Sequence, residues 1–411
     1  MDLLGPSPAA AMADIPAVVV GGIEWETGVN YPSTQTVREL ARTRPVLYIY
    51  TEARGGVGDR LRALRRRSPA ELLRTTLVLH PRRAEGALWL APLQGLSTLV
   101  PLGFPEPLRR HNVRLFRGAI REWLAEIGAD RCLLFFYWWF VPELVGAVPA
   151  VVSIYDCADE HADYPGSSLR QRTVRRVEAR LLDAVDCSFL VSPALLPPRE
   201  APGRRLTVLP NAFDTRAFAA VVGEGLTVPE PLRSVEGPVV GCIGSLAGRV
   251  DAQLMREIVR RRPDWTFAFI GADAQTALPE IVELPNVLTL GVLPYREALR
   301  AMSRFDVGVI PFRARPFTRG NSFLKLLDHF AHGTPVVATP LPDTLAVAQT
   351  DEKLIRLAEG RDAWLAALAE ALDETATSPL REARRRYAHQ RSVERRVEQL
   401  LTDALKARAA A

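Results

Sequence analysis

Lys325 and Asp328 stand three positions apart in "NSFLKLLDHFAHGTPVVATP", the run from Asn321 to Pro340. Phe323, Leu324, Leu327 and Ala331 recur with helical spacing, Asn321 or Ser322 would serve as N-cap, and Gly333-Thr334-Pro335 would stop the helix before a strand "VVAT". Lys325 then falls in the first turn, where the helix dipole already carries partial positive charge, and a bound anion would reconcile it with that place. Backbone N–H groups and the ammonium together suit a diphosphate. Asp328, one turn on, could accept hydrogen bonds from sugar or ribose hydroxyls. The spacing equally suits an exposed i, i+3 ion pair worth roughly 0.2–0.5 kcal/mol.

Two further stretches suit an anion. "PFRARPFTRGNS" places Arg313, Arg315 and Arg319 on a loop after the apolar run "DVGVIPF", and "GSLAGR", Gly244 to Arg249, follows "PVVGCI". Small residues such as Gly244 and Ser245 let a backbone approach a phosphate closely, and Arg249 could pair with it. The second loop is neither G-x-G-x-x-G nor a P-loop, so an ordinary strand-to-helix turn fits it as well.

The elements that must hold these loops are apolar β-rich runs alternating with amphipathic helices. "AVVVGGI", "PVLYIYT", "TTLVLH", "RCLLFFYWWF", "AVVSIYD" and "CSFLVS" read as buried strands, with helices around Ser33–Arg42, Asn112–Ile127 and Leu169–Ala184. A second series runs "PVVGCIG", "TFAFIGA", "NVLTLG", "DVGVIPF" and "PVVATPL" after a Pro-, Gly- and Glu-containing interruption. The expected class is α/β, with two doubly wound parallel-sheet domains facing each other across a cleft. Residues 1–14 read as a disordered tail, 15–212 as the first domain, 213–236 as linker, 237–376 as the second domain and 377–411 as a C-terminal helix opened by Ser378 and Pro379.

Composition excludes several classes. Of 411 residues, 48% are hydrophobic and 24% charged, and no apolar run reaches the roughly 18 to 20 residues that span a bilayer. Residues 1–16 lack the basic start and continuous apolar core of a secretory signal. Cys132, Cys157, Cys187 and Cys242 are far apart and no histidines cluster, so neither zinc nor a disulfide framework is indicated, and a reducing cytoplasm fits. A net charge of +5 is weak support for a nucleic-acid partner, and none is expected.

The stretch "VGVIPFRARPFTRGNSFLKLLDHFAHGTPVVATPLPD" resembles the donor-binding segment of family-4 glycosyltransferases of the GT-B fold, particularly the bacterial branch that includes teichuronic-acid biosynthesis enzymes. Lys325 matches that branch's lysine and Asp328 stands at its glutamate. "VVSIYDCADEH", "VSPALL", "VLPNAFDTRAF", "GCIGSLAGRVDAQLMREIVRRRPDWTFAFIGA" and "LPNVLTLGVLPYREALRAMSRFDVGVIPF" extend the likeness, strongly in the second half and loosely in the first. It implies that the second domain binds a nucleoside-diphosphate sugar and the first an acceptor, with the C-terminal helix crossing back to the first domain. Lys325 and Arg249 would steady the departing diphosphate. Gly244, Ser245, Arg313, Arg319, Asn321, Ser322, Phe323 and Leu324 would line the donor, Asp328 would hold its hydroxyls, and Val292, Leu293 and Pro294 of "GVLPY" would receive the nucleobase by backbone contacts. Where the wider family often carries two glutamates, this chain has Gly320 and the shorter Asp328, which leaves the donor sugar open.

On the acceptor side, "YDCADEHADYP" follows a strand and carries Asp156, Asp159, Glu160 and His161. Orientation of an acceptor hydroxyl, with acid/base assistance, is expected of Asp156 and Asp159, whereas Glu160 reads as part of a solvated helix-capping turn. His161 joins Trp25, Asn30 and Tyr31 of the first loop, and Tyr137 and Trp138 of "FFYWWF", as acceptor-side candidates, although core packing is the usual work of tryptophan. No D-x-D is present and no metal or other cofactor is expected. Arg60, Arg62, Arg65, Arg66 and Arg67, with the arginines of "PLRRHNVRLFRG", would suit a lipid-linked acceptor at an anionic inner-membrane surface, or form an ordinary basic surface.

The expectation is a cytoplasmic glycosyltransferase moving a sugar to a glycan, lipid-linked or small-molecule acceptor, for envelope polysaccharide or a secondary metabolite, with retention implied by the resemblance. A nucleotide-sugar epimerase of the same fold and a non-catalytic nucleotide-sugar-binding or scaffold protein remain the alternatives. Nothing in the sequence addresses oligomeric state.

Overall fold

The computed structural model describes residues 14–25, 28–51, 64–66, 68–77, 79–94, 106–164, 167–272 and 274–409. Residues 1–13 of the expected tail, and Arg60, Arg62 and Arg67, lie outside them. The chain divides into two compact units, one comprising Met1–Thr27, Tyr31–Pro210 and Glu394–Ala411, the other Gly28–Asn30 and Asn211–Val393. The C-terminal helix Val393–Ala409 thus counts almost wholly with the first unit.

The first unit is built on an eight-stranded sheet. Its strands are β1 (Ala17–Val20), β2 (Val46–Thr51), β3 (Arg82–Arg83), β4 (Leu88–Leu93), β5 (Cys132–Phe136), β6 (Ala150–Cys157), β7 (Cys187–Leu190) and β8 (Leu206–Val208), in the order β3-β4-β2-β1-β5-β6-β7-β8. All neighbours are parallel except the β3–β4 pair. Strands β1, β2, β5 and β7 are buried along their whole length, as continuous apolar strands covered on both faces must be. "TTLVLH" is corrected: Thr75 to Leu77 close the helix Pro69–Leu77, and the strand beside β2 is the later Leu88–Leu93. A Ser-Pro start, with Ser68 Oγ accepting the Glu71 N–H at 3.2 Å, carries that helix through the two β-branched threonines.

The second unit has a six-stranded, wholly parallel sheet. Its strands β9 (Val239–Ile243), β10 (Thr266–Ile270), β11 (Val287–Gly291), β12 (Val307–Ile310), β13 (Val336–Ala338) and β14 (Ile355–Leu357) run in the order β11-β10-β9-β12-β13-β14. The order reverses beside β9, and β9 and β12 are neighbours although two strands, β10 and β11, lie between them in sequence. Loops at the carboxyl ends of strands flanking such a reversal are where doubly wound sheets bind ligands.

The single C-terminal helix is also corrected. Ser378 Oγ caps the start by accepting the Leu380 N–H, but the helix ends at Gln390 and a second begins at Val393. Phe213 interrupts it: its N–H donates to the Arg391 carbonyl at 2.8 Å, and its own carbonyl accepts the Val393 N–H at 3.0 Å. The four cysteines are buried and free, and burial pushes their thiols up to about 11 or 12, so they serve as small apolar residues. Of the second arginine cluster, Arg109 is buried and paired with Glu106 and Glu143, which removes it from any membrane-facing surface; Arg110, Arg114 and Arg117 are exposed. No helix among the described residues is long and apolar enough to cross a membrane.

Candidate functional site

The helix Leu324–Ala331 begins as the charge argument requires, with Lys325 in its first turn, but it is capped differently. Neither Asn321 nor Ser322 is the N-cap. Phe323 holds that position, its ring buried 5.5 Å from that of Phe312, and its N–H donates to Asp343 Oδ2 at 2.7 Å. A carboxylate from the following helix, Pro342–Thr350, thus does the capping, and burial pushes it up to about 6. Ser322 is engaged elsewhere: its Oγ accepts the Asn211 N–H at 3.2 Å and its carbonyl accepts Asn211 Nδ2 at 2.9 Å. Asn211 Oδ1 is left buried without a hydrogen-bond partner. Leu324 and Asn321 are half-buried, and the Phe323 side chain belongs to the core, so Phe323 offers a ligand only its backbone.

Lys325 and Asp328 do not pair with each other. The Lys325 ammonium lies 4.1 Å from the Phe312 ring centroid, and a Cβ built on Gly244 would sit 2.8 Å from it. Gly244 has φ +114°, and a Cβ on Gly271 would come within 1.9 Å of the Gly244 carbonyl, so both positions admit only glycine. The loop after β9 is thereby drawn against the lysine. Burial, with the like charge of Arg249 adding to it, pulls the ammonium down to about 8.

The two arginine-bearing loops converge on the same place. Val250 and Phe312 form a bridge, the Arg313 N–H donates to the Arg249 carbonyl at 2.8 Å, and the Asp251 N–H donates to the Pro311 carbonyl at 2.8 Å. The Arg249 guanidinium lies 5.3 Å from the Phe317 ring centroid. Arg313 reaches Asp251 at only 3.3 Å and lines an open pocket of about 230 Å³ with Thr339, Glu359 and Trp364. Ser245, Arg315 and Arg319 are exposed. Lys325 therefore lies against glycine backbone beside the joined loops that bear Arg249 and Arg313, at the carboxyl ends of β9 and β12, an arrangement whose charge suits a diphosphate. No group of His, Cys, Asp and Glu suited to a metal ion occurs among the described residues.

Asp328 is 8% exposed and accepts from the Tyr295 hydroxyl at 2.7 Å. Burial, reinforced by Asp214, pushes it up to about 7, against the pull of Tyr295 and Lys325. Tyr295 closes the loop after β11, where Val292 and Pro294 are exposed while Leu293 packs on the apolar cluster around Met302 and Phe305. Asn30 is placed with this unit and hydrogen-bonds Tyr295, not among the acceptor-side residues where it was expected.

His329, next to Asp328, is fully buried with neither ring nitrogen hydrogen-bonded, and its ring lies so close to Gly308 that a Cβ there would meet Nδ1 at 2.5 Å. Burial pulls it down to about 3. An unfolded histidine binds a proton below about 6.5 whereas this one resists until about 3, so stability is full above the unfolded value and lost as pH falls between the two. We predict up to about 5 kcal/mol of acid destabilisation from this residue, roughly 3 of it above pH 4, at about 1.36 kcal/mol per pKa unit. Denaturant melts from pH 7 to 4 check it: His329→Leu should flatten the acid slope, and an unchanged slope refutes the assignment.

In the first unit the acceptor-side candidates separate. Asp156, expected at the reacting centre, is instead fully buried and bound by Arg396 at 2.7 and 2.9 Å; with no exposed surface it cannot touch a substrate. Tyr137 is core, its hydroxyl 2.7 Å from Thr36 Oγ1, and Trp139 is core as well. Glu160 is no solvated turn, because it binds the buried Arg199, which Glu178 also holds at 2.9 Å. Asp159 accepts from the Tyr164 hydroxyl. His161 stacks between Trp138 (5.5 Å) and Tyr164 (6.3 Å); burial pulls it down to about 4, and its Nε2 has no partner. Trp138 and His161 thus stay together near Asp159. Trp25 meets Tyr48 edge-on at 5.8 Å beneath Arg38, and Tyr31 precedes the helix Pro32–Leu40. Sequence reasoning missed Tyr295, Asp343, Asn211 and Arg396 as individual residues. Asn211 and Tyr295 lay inside the quoted stretches "VLPNAFDTRAF" and "GVLPY", but nothing marked Arg396 among its neighbouring arginines.

Two parallel-sheet α/β domains of this construction make the GT-B fold. A solved sucrose-phosphate synthase of Thermosynechococcus elongatus superposes with TM-score 0.69 at 16% identity over 97% of this chain and 100% of that one. The Anabaena protein HepE, solved in complex with UDP and glucose, does so with TM-score 0.57 at 14% identity over 95% and 99%. Residues 237–377 match the family model "Glycosyl transferases group 1", and the second unit carries a domain of that family. TuaH of Bacillus subtilis, whose name places it among teichuronic acid biosynthesis glycosyltransferases, is 29% identical over 237 residues, covering 54% of this chain; the chain spans 58% of that relative's length.

Proposed function

We propose that this protein is a glycosyltransferase that moves a sugar from a nucleoside-diphosphate donor, held by the second unit, to a hydroxyl or amine of an acceptor held by the first. The observation that carries the reading is the Lys325 ammonium against the Gly244 backbone, beside the joined loops that bear Arg249 and Arg313, within the family-matched domain. As the sugar–phosphate bond breaks, charge grows on the departing diphosphate, and cations already fixed around it lower the barrier without reorganising. Asp328 holds donor hydroxyls, and Val292 and Pro294 border the nucleobase. Three cations make a metal unnecessary. Retention, by front-side attack with the donor phosphate taking the acceptor proton, follows the family resemblance.

The acceptor is a glycan or its lipid-linked precursor for the cell envelope, in keeping with the name of the Bacillus relative. Trp138, His161 and Asp159 border it, with the neutral imidazole offering Nε2 to a hydroxyl. The work is done in the cytoplasm, with exposed Arg110, Arg114 and Arg117 favouring an anionic membrane surface. Incubating the protein with a panel of nucleotide sugars and following release of the nucleoside diphosphate tests the reading. Turnover that is acceptor-dependent supports it, nucleoside diphosphate released with an epimerised free sugar and no need of an acceptor indicates an epimerase, and binding without release, or neither, indicates a non-catalytic protein.

A further inference from the structure

We infer that Tyr295 is the positioning and specificity-determining residue of the donor site, orienting the Asp328 carboxylate towards a hydroxyl of the nucleotide sugar and away from Lys325. The inference rests on the donor reading above. Asp328 and Lys325 sit on one face of a helix at a spacing that favours an ion pair. If they paired, the ammonium would be withdrawn from the diphosphate and the carboxylate from the hydroxyl. They do not pair: Asp328 Oδ1 accepts the Tyr295 hydroxyl at 2.7 Å, while Lys325 stays over Phe312 and against Gly244.

A short carboxylate needs this support. It is buried, and the charged groups that act on it are Asp214, which repels it, and Lys325, which attracts it. A charge-assisted O–H···O bond opposes the repulsion and fixes the carboxylate plane. The carboxylate has about four lone-pair positions, so one bond from Tyr295 to Oδ1 leaves Oδ2 able to accept from a ligand. The tyrosine is fixed in turn, as its backbone N–H donates to the Gly28 carbonyl at 2.8 Å and its helix Tyr295–Met302 follows β11 directly. The hydroxyl stays protonated because burial holds it well above its usual range.

The test uses the full chain. Wild type, Tyr295→Phe, Asp328→Asn and the double variant are titrated calorimetrically with nucleoside diphosphates, their 2′- and 3′-deoxy forms, the matching nucleotide sugars, and inorganic pyrophosphate. Tyr295→Phe should weaken the best nucleotide-sugar about tenfold and abolish discrimination against whichever hydroxyl is read. It should lower the melting temperature by only a few degrees, as the buried carboxylate loses one hydrogen bond, and below that transition it should leave pyrophosphate binding unchanged. The double variant should bind no worse than Asp328→Asn, and the acid limb of donor binding should move to higher pH in Tyr295→Phe. Undiminished discrimination, or losses that add in the double variant, would overturn the inference while leaving the donor reading intact. A wild-type protein that binds none of these nucleotides sinks both.

Discussion

Lys325→Ala should cut sugar transfer severely and weaken nucleoside-diphosphate binding by about 10- to 100-fold, the worth of roughly 1.5–3 kcal/mol for a hydrogen bond to a charged group. Its effect on turnover should be larger, about 100- to 1000-fold, because the contact strengthens as the diphosphate takes up charge. The fold should not suffer. The ammonium has Phe312 and glycine backbone around it and, among the described residues, no carboxylate paired with it, so removing it relieves a desolvated charge. Lys325→Arg should not restore activity, since the guanidinium needs more room than the backbone at Gly244 leaves. pH gives a second reading. The free ammonium titrates at about 8 and binds the anion only when protonated, so wild-type affinity should fall as pH rises past about 8, and this alkaline limb should vanish in Lys325→Ala. Nucleotide titration at pH 7 and 9 decides it; equal affinity of the two proteins at pH 7 would remove Lys325 from the phosphate site.

What could be read beforehand divides by the range of the interaction. Lys325 and the two basic loops were legible because a helix terminus, a glycine and a strand end are local features, and a charge in the wrong place among them is a local conflict. Most parallel strands were legible as unbroken apolar runs, but Ser68-Pro69 imposed a helix on "TTL", and β4 and the three-residue β8 and β14 were not read as strands. Asp343 was not legible, because it caps a helix whose N-cap lies twenty positions earlier in the chain, and that N-cap was assigned to the polar Asn321 or Ser322 instead. Tyr295 was read as part of a loop, whereas its hydroxyl reaches a residue 33 positions away. Asp156 is the extreme case: an acidic residue at a strand end looks the same whether it faces a substrate or an arginine 240 positions distant.

That arginine makes the second large effect one of stability. Arg396 is 7% exposed and donates to both oxygens of Asp156 and to the carbonyls of Leu209 and Pro210, so it joins β6, the segment after β8 and the C-terminal helix within one unit. Removing one member of a buried pair strands the other charge, at about 3–5 kcal/mol. Arg396→Met should therefore lower the melting temperature of the first unit by roughly 10 °C, at about 2–4 °C per kcal/mol for a domain of this size. Asp156→Leu combined with Arg396→Met should recover part of the loss, because no lone charge remains, though the two carbonyls still lack their donor. Asp156→Asn separates structure from chemistry. It keeps the shape and loses the charge, so it should melt early yet, assayed well below its transition, turn over within a few-fold of wild type per folded molecule. Calorimetry alongside kcat measures both; an intact melting temperature with a collapsed kcat would return Asp156 to the reacting centre.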